Sequence, residues 1–135
     1  MDQQLQAFIS NWTEDSNGIK PLFTSMYEML DSMEGVSLDY KGRPGISHSL
    51  RAKHANQKRE LFVLVDVIDD EPESRWLSVC FYADLVTDPE EVGDVVPAGL
   101  MGEDACCFDV DTMDSGAYLL ARIREAAQNA AKEGA

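Results

Sequence analysis

Three cysteines and two histidines are the residues of this chain whose side chains could perform nucleophilic or redox chemistry. A thiolate from Cys80, Cys106 or Cys107 would need a base such as His48 or His54. Cys106 and Cys107 are adjacent, so in a strand their sulfurs point to opposite faces and do not share a metal ion. No glycine-flanked nucleophile motif surrounds a cysteine or a serine. The pattern predicts no catalytic residue, and a cysteine-dependent enzyme that uses Cys80 or Cys107 with a histidine stays as an alternative.

Residues 109–116, DVDTMDSG, superficially resemble a calcium-binding loop. If Asp109 takes the first ligand position, Met113 takes the fifth and Leu120 the twelfth, where such a loop needs oxygen ligands. The chain also lacks the glycine motifs of phosphate-binding loops and the histidine and cysteine spacings of zinc sites. We therefore predict neither a metal nor a cofactor.

The basic residues are concentrated in residues 41–59, KGRPGISHSLRAKHANQKR, which we call the basic segment. It holds six of the eleven Lys and Arg residues, both histidines and no acid, in a chain whose net charge is -14. The GRPG sequence is typical of a turn, and the alternation on both sides of it predicts a hairpin. On the returning strand Arg51 and Lys53 point away from Leu50 and Ala52, so we expect them to be exposed.

Two explanations compete for the basic segment. Charges on an edge strand prevent sheets from aggregating, and this role needs no ligand. Alternatively, the segment binds a small anion or an acidic protein surface, including that of a second copy. His48 would then be a pH-sensitive neighbour of the binding residues. The predicted binding residues are Lys41, Arg43, His48, Arg51 and Lys53.

The charge of the remaining chain excludes some partners. Twenty-five acids against eleven bases repel nucleic acids and anionic membranes over most of the surface, so neither is a predicted partner. We expect a protein partner or self-association instead. A further alternative is that the acidic surface imitates nucleic acid and inhibits a basic partner protein. A high net charge also serves solubility alone.

The elements that must position these residues follow from hydrophobic periodicity. Helical spacing predicts two N-terminal helices, at residues 2–14 and 21–34, and one C-terminal helix that ends near Gly134. Alternation and short apolar runs predict about five strands, at residues 36–41, 46–52, 60–68, 76–86 and 105–111.

Two connections are informative. Thr87 and the acidic residues after it form a capping pattern, which predicts a short helix near residues 88–94. Residues 95–104 contain Pro97, Gly99 and Gly102, so we predict a long irregular loop, which is the second candidate binding region.

Helices at both ends of a run of strands indicate an α+β fold, with a mainly antiparallel sheet covered by helices on one face. The length of 135 residues, without a linker or repeat, predicts a single domain over residues 1–135. The order of elements, and above all residues 77–111, LSVCFYADLVTDPEEVGDVVPAGLMGEDACCFDVD, resemble small bacterial α+β proteins with no assigned activity. The resemblance implies the fold class and no active site.

The sequence begins without a basic leader, and its longest apolar runs are too short to span a bilayer. An odd number of cysteines cannot pair completely, which favours a reducing compartment and free thiols. We therefore expect an acidic cytoplasmic protein. Its predicted role is binding or regulation without catalysis, through the basic segment or through residues 95–104.

Overall fold

The computed structural model describes residues 2–134. Within them the chain forms three α-helices and six β-strands, interrupted by short 3₁₀ turns. The elements are α1 (Gln3–Asn11), α2 (Lys20–Ser32), β1 (Val36–Arg43), β2 (Ser47–His54), β3 (Val63–Ile68), β4 (Trp76–Tyr82), β5 (Asp94–Leu100), β6 (Glu103–Val110) and α3 (Gly116–Ala131). The predicted α+β class is confirmed, with two helices before the strands and one after them.

The six strands form one antiparallel sheet in the order β1-β2-β3-β4-β6-β5. The predicted hairpin is the β1–β2 pair, and the apolar run of β3 lies in the interior of the sheet, as its composition predicts. The last two strands do not follow the order of the chain: β6 pairs with β4, and β5 pairs with the other side of β6 as an edge strand. Edges of the sheet are therefore β1 and β5.

The prediction of about five strands is one too few, because residues predicted to be an irregular loop form β5. Proline is tolerated there because an edge strand leaves some N–H groups unpaired, and the pairing with β6 shifts between Val96 and Leu100. Ala98 has a φ of 54° within that irregular stretch. Met101 and Gly102, with φ values of 52° and 82°, then make the tight turn into β6.

The predicted helix near residues 88–94 is wrong. The Asp88 carboxylate accepts hydrogen bonds from the backbone N–H groups of Val92, at 3.3 Å, and Gly93, at 2.8 Å. Its side chain therefore closes a tight turn instead of capping a helix, which is a common use of aspartate in loops.

The hydrophobic core lies between one face of the sheet and the helices. Along β3 and β4 alternate residues are fully buried, and they meet the apolar stripes of α1, α2 and α3. Phe23 and Leu30 of α2 and Ile123 of α3 have no exposed surface. One continuous cluster of apolar side chains connects the three helices with the sheet. This packing leaves the second face of the sheet without an apolar cover.

We call that second face the open face. Its side chains alternate with the buried ones, and most are half-buried or exposed. They include Asp39, Lys41 and Arg43 of β1; Ser49, Arg51 and Lys53 of β2; Leu64, Asp66 and Ile68 of β3; Trp76, Ser78 and Cys80 of β4; Cys107 and Asp109 of β6; and Asp94 of β5.

Arg59 connects Glu133, which follows α3, to residues at one end of the sheet. Its guanidinium forms ion pairs with Asp84 and Glu103 at 3.0 Å and with Glu133 at 2.6 Å, and it lies 4.2 Å from the ring centre of Tyr82. Arg59 therefore has an internal role, although it belongs to the basic segment.

Candidate binding surface

Four of the predicted binding residues lie together on the open face. Lys41 and Arg43 extend from β1, and Arg51 and Lys53 extend from the neighbouring strand β2. All four side chains are exposed. In the strand register Arg51 lies opposite Asp39, and Glu60 lies beside the same depression as Arg51 and Lys53. We call these four cations the basic end of the open face.

These cations are not neutralised within the fold. None of the four takes part in an ion pair with another residue in the part of the chain that the structure describes. Arg43 donates a hydrogen bond to the Ser47 hydroxyl at 3.1 Å, which orients its guanidinium without removing its charge. The basic end can therefore offer positive charge to another molecule.

Protection of the sheet edge explains half of the basic end. Lys41 and Arg43 lie on β1, which is an edge strand and benefits from charges that block pairing with another chain. Arg51 and Lys53 lie on β2, which has hydrogen-bonded neighbours on both sides. A strand in the interior of a sheet has no free edge to protect, so these two cations need another explanation.

His48, the fifth predicted binding residue, lies elsewhere. It points from β2 into the core, on the face opposite Arg51 and Lys53, and has only 5% of its surface exposed. The phenyl ring of Phe8 stacks on its imidazole with ring centres 3.8 Å apart. The prediction that His48 is a neighbour of the basic end is wrong, because residues at odd and even positions of one strand face opposite ways.

A buried hydrogen-bond network surrounds His48, and sequence reasoning missed it. His48 Nε2 lies 2.7 Å from Asp69 Oδ2, and His48 Nδ1 lies 2.8 Å from the Tyr40 hydroxyl. The other carboxylate oxygen of Asp69 accepts a bond from Arg75 Nε at 2.6 Å, and the Gly45 N–H donates to Oδ2 at 3.1 Å. The network joins the β1–β2 hairpin to the start of β4.

The electrostatics of this network favour one protonation state. Burial alone would raise the pKa of Asp69, but hydrogen bonds from Arg75, His48 and the Gly45 backbone hold it below its usual value. Burial, followed by the carboxylates of Asp2 and Asp69, raises the pKa of Tyr40. Asp69 is thus a carboxylate and Tyr40 a neutral phenol at neutral pH.

The order phenol, imidazole, carboxylate is that of a proton relay, but the surroundings favour a structural role. Tyr40 is only 8% exposed, and each member has its hydrogen-bond partners within the fold. The Arg75 guanidinium also lies 5.3 Å from the ring centre of Phe8, so α1 closes over the network. We assign it to the positioning of the hairpin that carries the basic end.

The cysteines differ from the expectation of free thiols. Cys80 of β4 and Cys107 of β6 lie directly opposite each other on the open face and form a disulfide. Cys106 faces the core as a free, buried thiol, and burial, with Asp88 and Asp94, raises its pKa. Within residues 2–134 no histidine takes part in either arrangement, since His48 is hydrogen-bonded to Tyr40 and Asp69 and His54 lies beside Gly35 and Asn56.

The second candidate region, residues 95–104, is the edge strand β5 and its turn. Val95 is 68% exposed and Met101 54% exposed, so the region does present apolar surface. It carries none of the cations described above.

A larger cavity lies away from the basic end. A groove of about 500 Å³ lies between the C-terminal half of α2 and α3, with Met29, Met33 and Ala127 on its walls and His54 at its rim. Beside Arg51 and Lys53 lies a smaller depression of about 260 Å³, which Asp39 and Glu60 also line. This volume is below the usual size of a small-molecule pocket, so the basic end suits a macromolecular partner more than an enclosed small molecule.

Residues 2–134 contain no group of three or more His, Cys, Asp and Glu side chains placed to hold a metal ion. None of the helices within that range is both long enough and apolar enough to cross a bilayer.

Comparisons of the chain with protein-family models, with curated proteins and with solved structures found no significant match.

Proposed function

We propose that this protein is a non-catalytic binding or regulatory protein that recognises an acidic protein surface through the basic end of the open face. The observation that carries the proposal is the position of Arg51 and Lys53. They are exposed cations on an interior strand, without an ion-pair partner in residues 2–134 and without an edge to protect.

The size of the depression and the charge of the chain define the partner. A depression of about 260 Å³ is smaller than most small-molecule pockets, so contact with a protein surface fits the site better than a small ligand does. A long polyanion such as nucleic acid would extend beyond the basic end and meet the acids that dominate the rest of the chain. A local acidic patch on a protein avoids this repulsion. Such charge complementarity determines mainly the association rate and the specificity.

The proposal is tested with a polyglutamate peptide of about 20 residues, labelled with a fluorophore and titrated with the protein in low salt. The strip variant replaces Lys41, Arg51 and Lys53 with serine. Its matched control replaces three cations outside the basic end, Lys58, Arg124 and Lys132, with serine. Both variants lose the same charge, so only a local site distinguishes them.

We expect the strip variant to bind at least tenfold more weakly than the wild-type protein, and the control variant to bind within about twofold of it. Binding of the wild-type protein should weaken in 300 mM salt, because exposed charges are screened over distances of about 6 Å under those conditions. Equal affinities of the two variants, or no binding by the wild-type protein, would remove the basic end as a recognition site.

A further inference from the structure

The open face is electrically polarised across the sheet. At one side the basic end has four cations on β1 and β2, and at the other Asp94 of β5 and Asp109 of β6 are exposed carboxylates. We call these two the acidic end. The middle of the face carries half-buried Leu64, Ile68, Trp76 and the Cys80–Cys107 disulfide, with Asp66 and Ser78 between them. If a second copy is rotated by 180° and placed on this face, the basic end of each copy lies against the acidic end of the other.

Both edges of the sheet are unsuited to association. On β1, Lys41 and Arg43 place charges on the edge, and Pro44 follows the strand directly. On β5, Pro97 cannot donate a backbone hydrogen bond, and the irregular pairing beyond Val96 bends the strand. These features prevent edge-to-edge pairing with another sheet. The open face is therefore the surface of the sheet that is available to a second copy.

We propose that the acidic partner is a second copy of this chain, stacked open face to open face around a two-fold axis parallel to the strands. This inference rests on the proposed function, since it names the partner of the same basic end. Such an axis reverses the strand order, so β1 and β2 of one copy lie over β5 and β6 of the other. Each copy then contributes one basic end and one acidic end, which makes two identical contacts.

The strand register shows which residues would meet. With the axis between β3 and β4, Ile68 lies over Trp76 of the second copy and Leu64 lies over its Cys80, so apolar groups face apolar groups. Arg51 lies over Cys107, which has Asp94 and Asp109 as its neighbours. Lys41 lies beside the same Asp109. One arrangement of the two copies therefore brings opposite charges together at both ends of the face. The same arrangement places Ile68 and Leu64 against apolar groups at its centre.

The expected interface is small. Six strands about 4.8 Å apart and about 25 Å long give a flat face of about 600 Å² per copy. The total of about 1,200 Å² is at the lower limit for a specific interface, so the dimer should form in the micromolar range and depend on salt. The molar mass must therefore be measured over a range of concentrations.

The first experiment is sedimentation equilibrium of the wild-type protein from 5 to 500 μM, in 20 mM and in 500 mM NaCl. We expect the molar mass to rise from 15.0 kDa to about twice that value in low salt. In high salt the dissociation constant should increase at least tenfold, because the charged contacts are exposed at the rim.

Two charge-reversal variants identify the face. One carries Lys41→Glu and Arg51→Glu, and the other carries Asp94→Lys and Asp109→Lys. Each variant alone places like charges against each other and should be a monomer at 500 μM. An equimolar mixture restores both contacts and should give a heterodimer. All four positions are exposed, and circular dichroism establishes that each variant is folded.

Dimerisation of each variant alone at the wild-type strength, or failure of the mixture to associate, would overturn the assignment of this face. A wild-type protein that is monomeric in 20 mM salt at 500 μM would overturn self-association. The proposed function has its own readout, since polyglutamate binding by that monomer, lost in the strip variant, would support an acidic partner other than a second copy. Loss of both readouts would overturn both proposals.

Discussion

His48 Nε2 lies 2.7 Å from Asp69 Oδ2, and less than a tenth of either side chain is exposed. Because Asp69 is a carboxylate and cannot donate, the bond between them requires a hydrogen on His48 Nε2. A nitrogen-15 NMR spectrum should show a hydrogen on Nε2 of His48 at neutral pH. A spectrum with a hydrogen on Nδ1 alone would contradict the hydrogen bond to Asp69.

Replacement of Asp69 by asparagine should lower the free energy of unfolding by about 3–5 kcal/mol at pH 7, because it leaves the Arg75 guanidinium without its partner in a mostly buried position. Chemical denaturation followed by tryptophan fluorescence measures this loss. Asp70→Asn is the matched control, since Asp70 is the exposed neighbour and should change stability by less than about 0.5 kcal/mol. Equal effects of the two substitutions would contradict the role of the network.

The same carboxylate predicts a pH dependence of stability. The pKa of Asp69 is lower in the folded protein than in the unfolded chain, so the stabilisation is complete above the unfolded value of about 4. It is lost as the pH falls through the lower, folded value. The wild-type protein should therefore progressively lose its advantage over Asp69→Asn as the pH falls below about 4. An advantage that does not decrease with falling pH, in denaturation curves of both proteins, would disprove this linkage.

Gly42 lies against the Tyr40–His48 hydrogen bond, and a β-carbon on it would lie 2.7 Å from the Tyr40 hydroxyl oxygen and 3.2 Å from His48 Nδ1. Gly42→Ala should therefore cost about 2 kcal/mol of stability by displacing the tyrosine. Tyr40→Phe removes the oxygen and makes room. In a double-mutant cycle the alanine should cost less than half as much in a chain that already carries Tyr40→Phe, and strictly additive effects would contradict the steric explanation.

The disulfide predicts a thiol count. Oxidised protein should show no rapidly reacting thiol when native, since Cys106 is buried, and one thiol per chain after denaturation. Reduction before denaturation should raise the count to three. Three thiols in denatured protein purified under oxidising conditions would disprove the pairing.

A substitution at Asp39 tests the two-fold arrangement by strengthening the dimer, whereas the charge reversals weaken it. In the proposed dimer Asp39 lies over Asp94 of the second copy, so two symmetry-related like-charge contacts oppose association. Asp39→Asn should therefore tighten the dimer by about threefold in low salt, measured by sedimentation equilibrium. Ser37→Asn, on the same strand but away from Asp94, serves as a control and should have no effect. A weaker dimer in Asp39→Asn would exclude this register.

Local patterns were sufficient to predict the β1–β2 hairpin, because the turn and the alternation around it lie within a short stretch of sequence. They also placed Arg51 and Lys53 on the exposed side. The buried network was missed because Asp69 looked like one acid of a polar turn, and its partner His48 lies 21 residues earlier in the chain. Tyr40 and His48 could have been found, since the hairpin register brings them close to each other.

The Cys80–Cys107 pair could not be predicted for a related reason. The disulfide forms because β6 pairs with β4, although β5 lies between them in the sequence. Nothing in residues 77–111 specifies that β5 takes the edge of the sheet. The alternation in ACCF correctly gave Cys106 and Cys107 opposite faces. Only the order of the strands shows which of them meets Cys80.

The position of β6 between β4 and β5 also affects the growing chain during synthesis. A nascent chain that ends before Glu103 has β4 without its second neighbour, so an apolar strand, WLSVCFY, presents an unpaired edge. Such an edge is prone to pair with other chains. The sheet can close only after β6 has left the ribosome, and the apolar stripe of α3 is synthesised later still. Chaperone binding to nascent chains should therefore peak once β4 has emerged and fall when β6 follows.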